Sequence, residues 1–250
     1  MIRFIPFERY DPYEKIALND ILLDSVRNTN NPIIWLAGWD KTCINIGFGQ
    51  KIDVVNTTLA KRHNIPIVRR QGGGGATVLT PYGEITWGII APSDFFPSSI
   101  DETYKFICQK IIDSLNQFGI NSTYKPINDV VTEQGKISGS TLKKTGGVVY
   151  AAGTLLYEVD KSLMNELLFP EKDYLKKSVP EKNKAVVGIK NILSQSSPSF
   201  DEVIDTLKKT LLNSEEYVEK PILSSERELA KKGAKKFRKV DWIENGKLHN

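Results

Sequence analysis

The segment VRRQGGGGATVL, residues 68–79, places four glycines in a row behind two arginines and between two runs of β-forming apolar residues. Glycine loses more conformational freedom on folding than any other residue, so a run of four must be compensated by something side chains would prevent. A tight connection between strands is satisfied by one or two glycines. The longer run predicts a main chain that a ligand approaches closely, where a Cβ would stand in the way. Successive amides in such a loop form a concavity for anions. Arg69 and Arg70 precede it in an extended run, so alternation aims only one of them at the face the glycines line. A guanidinium beside bare amides suits phosphate or carboxylate. The spacing matches neither the Walker loop nor the dinucleotide fingerprint.

The rest of the chain is that of a globular protein. Its 250 residues, 40% hydrophobic and 26% charged, suffice for one large α+β domain that needs no disulfides. The two cysteines, Cys43 and Cys108, and the two histidines, His63 and His249, are scattered without metal-ligand spacing, which argues against a structural zinc site. A formal charge of +4 is no nucleic-acid signature. No apolar run reaches the ~20 residues of a membrane span, and the N-terminus lacks a signal-peptide core. The expectation is a soluble, cytoplasmic protein without nucleic-acid or membrane partners.

Residues 11–28 set Ile16, Leu18, Ile21, Leu22 and Val26 near helical spacing. PIIWLAG, CINIGFG and IPIVRR read as strands, with a helix over 53–64 between the last two. ATVL and EITWGII read as a strand pair around the turn TPYG. Ser99 and Glu102 predict a capping box for a helix that Gly119 ends, its apolar stripe running from Tyr104 through Ile107, Cys108 and Ile111 to Leu115 and Phe118. Segments 121–132, 136–142 and 147–158 read as further strands, and the pattern beyond residue 160 turns mostly helical. In the C-terminal tail Ser225 and Glu228 are the expected cap, with Ala230, Ala234 and Phe237 as a narrow apolar stripe. Lys231, Lys232, Lys235, Lys236 and Lys239 fall on another face, either simply solvated or docking an acidic partner.

A second constellation is GKISGS. Lys136 follows a turn at Gly135 and opens a strand in which Lys136, Ser138 and Ser140 share one face, while Gly139 allows close backbone approach. Lys136 is either a solvated edge-strand lysine or an ammonium aimed at acyl-phosphate oxygens, where charge develops during acyl transfer.

RRQGGGGATVL resembles the arginine–arginine–x–serine–glycine–glycine–glycine–alanine–valine segment of lipoate–protein ligases and their octanoyltransferase relatives. NDVVTEQGKISGSTLKKTGGVVYAAGTLLYEVD (128–160) is similar to that family's asparagine–aspartate, lysine–x–x–glycine–serine and glycine–threonine–leucine–leucine elements, in the same order. GFGQ (47–50) and GEIT (83–86) match the flanking elements, and the resemblance covers roughly residues 5–190. It implies an α+β fold: a single mixed-sheet catalytic domain of the lipoate/biotin ligase type over 1–220, with flanking helices and a short helical tail, 221–250, in the same domain. It also implies ATP-dependent activation of lipoate or octanoate to an acyl-adenylate, with Mg2+, and transfer to a lysine of a lipoyl-accepting domain. Such domains occur in 2-oxoacid dehydrogenase complexes and the glycine-cleavage H protein.

By the same resemblance Lys136 contacts the acyl carbonyl and phosphate oxygens, and Arg70 lies beside the adenylate phosphate. Gly73, Gly74 and Gly75 border the acyl chain and its carboxyl end, and Gly72 and Ala76 belong to the substrate- and adenylate-binding set. Asn128 and Asp129 lie near the nucleotide, Asp129 as a magnesium ligand; Ser138, Gly139, Gly153 and Thr154 complete the binding set. Trp35, Ile46, Phe48 and Trp87 are candidates either for an apolar acyl slot or for ordinary core.

The chain departs from the family where VLTPYG replaces a histidine–aspartate, where Ala152 replaces a histidine, and where Gly72 replaces a serine. Its length leaves little room for the additional C-terminal domain of full-size bacterial ligases, so a separately encoded accessory subunit is expected. Three rival readings remain. One is a transferase using a cysteine thioester, for which Cys43 is the plausible nucleophile and Cys108 the inert one. The others are a biotin–protein ligase and a non-catalytic carrier subunit.

Overall fold

The run Ile33–Trp39 is buried at every residue, so both of its faces need cover. In the computed structural model, which describes residues 1–169 and 185–246, helices supply that cover on the two sides of a large sheet. His249, the end of the tail, and the stretch 170–184 lie outside the described residues.

In chain order the strands are β1 (Ile2–Tyr10), β2 (Ile33–Trp39), β3 (Cys43–Ile46), β4 (Ile67–Arg69), β5 (Thr77–Leu79), β6 (Glu84–Pro92), β7 (Thr123–Lys125), β8 (Asp129–Thr132), β9 (Gly135–Thr145), β10 (Val148–Leu156) and β11 (Tyr217–Glu219). Among the described residues an eight-stranded mixed sheet runs β11–β1–β2–β6–β10–β9–β8–β7, and a separate three-stranded sheet runs β4–β3–β5. The helices are α1 (Pro12–Thr29), α2 (Thr57–Arg62), α3 (Ile100–Asn116), α4 (Lys161–Leu167), α5 (Ile189–Leu193), α6 (Phe200–Leu212), α7 (Ser224–Phe237) and α8 (Val240–Asn245).

Alternation along β10 shows how the large sheet is covered. Val149, Ala151 and Leu155 point into one core with α3 and α6, while Val148, Tyr150 and Ala152 point into the other with α1 and α7. The expected helix of the first segment forms, capped by Asp11, whose carboxylate accepts from Tyr13 N at 3.0 Å. Ser99 caps α3 as expected, accepting from Glu102 N at 3.1 Å, and Gly119 follows the helix with φ +72°.

Three expectations fail. ATVL and EITWGII do not pair with each other: both edges of β6 are taken by β2 and β10, so β5 joins β3 in the small sheet. The helix expected over 53–64 is a single turn, Ile52–Val54, followed by α2, because the Asn56 side chain accepts from Leu59 N and starts a new helix there. In the tail, Glu226 rather than Ser225 with Glu228 closes the N-terminus of α7. It accepts from Leu223 N at 2.8 Å and is itself held by Arg3 at 2.7 Å. Ala230, Ala234 and Phe237 are buried as expected, and α8 is an additional element that buries Trp242.

Candidate active site

A cavity of about 350 Å³ opens between α1, the glycine segment and the α1-facing side of the large sheet. Its floor follows one row across four strands, in which Thr86 pairs with Thr154, Thr154 with Gly139, and Gly139 with Asp129.

The four glycines divide into two kinds. A Cβ on Gly72 would sit 3.1 Å from Thr141 Oγ1, and Gly74 has φ +94° with Arg70 Nη2 at 2.9 Å from its missing Cβ. Gly47, from the preceding GFGQ element, packs so closely that its Cβ would meet the Gly74 carbonyl at 2.0 Å. These positions are glycine for the chain's own sake. Gly73 and Gly75 are different: a Cβ on either meets nothing within 4 Å, and neither has a positive φ. Nothing among the described residues requires them to be bare, and both line the cavity.

The two arginines part as alternation predicts. Arg70 reaches the cavity wall, but Nε and Nη2 donate to Gly73 O at 3.0 and 2.8 Å, Nη2 to Gly75 O at 2.8 Å, and Nη1 to Asn45 O at 3.1 Å. Its first action is therefore to hold the loop's carbonyls inward, leaving the amides to face elsewhere. Burial pulls its pKa down to about 10, which still leaves it cationic at neutral pH. Arg69, 2% exposed, points the other way and donates to carbonyls of residues 47–50 and of α8.

Lys136 Nζ lies 2.6 Å from Asp129 Oδ1, both side chains about one-third exposed. The contact is an ion pair without hydrogen-bond alignment, since Oδ1 is buried and makes no hydrogen bond. The absent side chain of Gly139 makes room for it: a Cβ there would stand 2.6 Å from Lys136 Nζ. Asn128 anchors the neighbouring turn, donating from Nδ2 to Ser140 O at 2.5 Å.

The expectation that Lys136, Ser138 and Ser140 share a face is overturned. The ladder between β8 and β9 shifts register between Val130 and Val131, so Ile137 bulges out of the pairing and alternation restarts. Ser138 is consequently paired with core residue Leu155 and fully buried, its hydroxyl without a partner. Ser140 Oγ lies 3.8 Å from Cys108 Sγ on the same α3-facing side. Gly153 also serves packing there, because its Cβ would lie 2.5 Å from Trp87 Cζ2. Thr154 and Ala76 line the cavity.

Trp35, Ile46 and Trp87 are core rather than acyl slot, each fully buried, and Phe48 is exposed against Trp242 with ring centroids 5.9 Å apart. Lys15, Trp39, Asn45 and Glu84 are among the cavity-lining residues to which the sequence reading gave no role. Glu84, 1% exposed, accepts from the indole of Trp39 and from Thr86 Oγ1 at 3.1 Å. Burial pushes its carboxyl up, with Lys15 opposing, and burial pulls the Lys15 ammonium down. Asn45 Oδ1 is buried without a donor. The one available signal was GEIT as a block, and it gave no role to its glutamate.

Neither cysteine lines the cavity, and both are fully buried. Burial first, and Glu84 second, push the Cys43 thiol well above its ordinary range against the pull of Lys15. Burial raises Cys108 to about 11. For a metal, no cluster of three or more histidine, cysteine or acidic side chains exists among the described residues. Asp129 fits magnesium only as a single carboxylate whose shell the phosphates of a nucleotide would complete. No helix among the described residues is long and apolar enough to cross a membrane.

Comparison with known proteins identifies the family of this fold. Octanoyltransferase LipM of Staphylococcus aureus (strain NCTC 8325 / PS 47) is 23% identical over 96% of this chain and 97% of its own. Lipoate–protein ligase 1 of S. aureus (strain Mu50 / ATCC 700699) is 26% identical over 93% of this chain and 70% of its own. The fold matches, with a TM-score of 0.81 and 20% identity, a Thermoplasma acidophilum structure described as a bi-partite lipoate protein ligase and its E2 lipoyl domain, over 100% of this chain and 97% of that one. The family model of the lipoyl protein ligase A/B catalytic domain matches residues 11–212, and the chain belongs to that family of lipoate ligases and octanoyltransferases.

Proposed function

We propose that this protein is an ATP-dependent lipoate–protein ligase rather than a thioester transferase. The observation that carries the reading is the state of its two cysteines. A transferase of this kind needs an accessible thiolate, whereas Cys43 and Cys108 are fully buried, outside the cavity, with thiols pushed up by burial.

In the proposed reaction a carboxylate oxygen of lipoate attacks the α-phosphorus of ATP, and the bond to pyrophosphate breaks. The ε-amine of a lysine on a lipoyl-accepting domain then attacks the acyl carbonyl. The carbon–oxygen bond to AMP breaks, the amine loses a proton to solvent, and an amide remains. Gly73 and Gly75 supply bare main chain against the acyl-adenylate, and Lys136 neutralises charge developing at the carbonyl and phosphate oxygens. Arg70 shapes the loop and adds its charge from behind it. Asn128 and Asp129 border the nucleotide, and Asp129 would hold magnesium, which would supply further charge neutralisation.

The Thermoplasma relative is described as bipartite, and a second chain that assists activation is part of this reading. Incubation of the protein with ATP, magnesium and lipoate, with and without an acceptor domain, tests it: mass spectrometry is expected to find lipoyl-AMP and then a lipoylated lysine. A full adenylation rate from the purified chain alone would remove the second chain from the account.

The likeness to LipM favours one alternative, acyl transfer from a carrier thioester. Double replacement of Cys43 and Cys108 by serine decides between them. Lipoate-dependent pyrophosphate release that survives the change supports the ligase; octanoyl transfer that needs no ATP and disappears with the cysteines supports the transferase.

A further inference from the structure

The cavity wall contains an ammonium that feels the charge of Glu84 but has no hydrogen-bond acceptor of its own among the described residues. Lys15 is 3% exposed and lines the cavity, yet no hydrogen bond or ion pair joins its Nζ to a described residue. Its neighbours are aromatic faces, with the Trp39 centroid at 4.0 Å and that of Trp35 at 5.5 Å. Cation–π attraction holds the nitrogen in place but leaves its N–H groups without acceptors. Buried polar groups of this kind are costly unless something accepts from them.

Its position relative to the reacting end follows from the sheet. Thr86, which donates to Glu84 beside Trp39, begins the row that ends three strands away at Asp129, the ion-pair partner of Lys136. Three inter-strand spacings are about 14 Å. An acyl group whose carbonyl meets Lys136 therefore extends its far end toward Lys15.

We propose that Lys15 is a specificity-determining residue that selects acyl chains carrying electron-rich, uncharged atoms at the distal end, such as the two sulfurs of a dithiolane, over chains ending in methyl. This rests on the reading of the cavity as an acyl site. A methyl terminus would leave the ammonium buried and unsatisfied, whereas a sulfur pair offers weak, polarisable acceptors. A terminal carboxylate is disfavoured despite its charge, because Glu84 shares the same wall and would face a second anion.

Calorimetric binding to the full chain tests this with three ligands: lipoate, octanoate, and the carbocyclic analogue of lipoate in which methylenes replace both sulfurs. The wild-type protein is expected to bind lipoate about tenfold more tightly than the carbocycle, the scale of one unsatisfied buried donor. Lys15→Met, of similar length, is expected to erase that ratio while improving binding of octanoate. Equal affinity of the wild-type protein for lipoate and the carbocycle overturns the proposal without needing the variant to fold, and so does an unchanged ratio in folded Lys15→Met. If none of the three acids binds the wild-type protein, the reading of the cavity fails and this inference with it. Tight binding of all three with no discrimination sinks Lys15's role alone.

Discussion

Arg69 and Trp242 exchange hydrogen bonds: Arg69 Nε donates to the Trp242 carbonyl at 3.0 Å, and Trp242 Nε1 donates back to the Arg69 carbonyl at 3.1 Å. The same guanidinium donates to Gly47 and Phe48 at 2.8 and 2.7 Å and to Ile243 and Glu244 at 2.7 and 3.0 Å. Its counter-charge is the carbonyl end of α8 together with the loop that packs against Gly74. One buried cation thus joins the C-terminal helix to the underside of the glycine segment.

Removing it should release both. Arg69→Met leaves those carbonyls without donors and is expected to cost roughly 3–5 kcal/mol, as for a broken buried charge network. Trp242→Phe keeps the ring and deletes one donor, at about 1 kcal/mol. Urea unfolding measures both, and an Arg69→Met midpoint equal to the parent's would show that the contacts carry no weight.

The glycines give the sharpest separation of stability from binding. Gly73→Ala adds a methyl where nothing lies within 4 Å and where φ is ordinary. The folded state should be unharmed or stabilised by about 0.4–1 kcal/mol through the unfolded chain, while affinity for the acyl-adenylate falls sharply. Gly47→Ala should do the reverse and lose stability first, since its Cβ meets the Gly74 carbonyl. Thermal melts paired with ligand titration check the contrast; Gly73→Ala with undiminished affinity would detach the bare loop from the ligand.

Lys136→Met is expected to lower lipoate-dependent pyrophosphate release about 10²–10³-fold, the effect of deleting one preorganised donor at developing charge. Lys136→Arg should not restore the rate, because the guanidinium fork is larger than the space the missing Gly139 side chain leaves. Asp129→Asn frees the ammonium from its 2.6 Å partner and is expected to cost less. A wild-type rate in Lys136→Met would remove this residue from the chemistry.

What the sequence revealed and what it hid divide along a physical line. The glycine run, the Ser99 cap and the stripe of α3 are local, so they could be read from spacing. The failure at Ser138 and Ser140 came from one bulged residue, Ile137, which inverts alternation and leaves no mark in composition. The separation of β5 from β6 depended on which strands reached the edges of β6, a non-local competition. Lys15 and Glu84 were missed for a related reason. A lysine in a helix and a glutamate opening a strand look solvated until tertiary packing buries both against Trp39.

That buried pair predicts a characteristic pH response. Glu84 is raised from its ordinary 4.5 to about 7, and Lys15 is lowered from 10.5 to about 8, burial being the main cause in each. Between pH 4.5 and 7 the folded state holds the Glu84 proton that the unfolded chain has released, so stability falls as pH rises. Between 8 and 10.5 the unfolded chain holds the Lys15 proton that the folded state has lost, so stability rises with pH. Cys43 feels both groups but is raised first by burial, which the Lys15→Met, Glu84→Gln double variant keeps, and the more distant titrating groups act alike in parent and variant. The difference between their urea midpoints should therefore trace a trough at intermediate pH, above the fall due to Glu84 and below the rise due to Lys15, with the variant relatively most stable there. Two parallel curves would mean that the pair is either solvated or unperturbed, against the burial that seals it beneath Trp39.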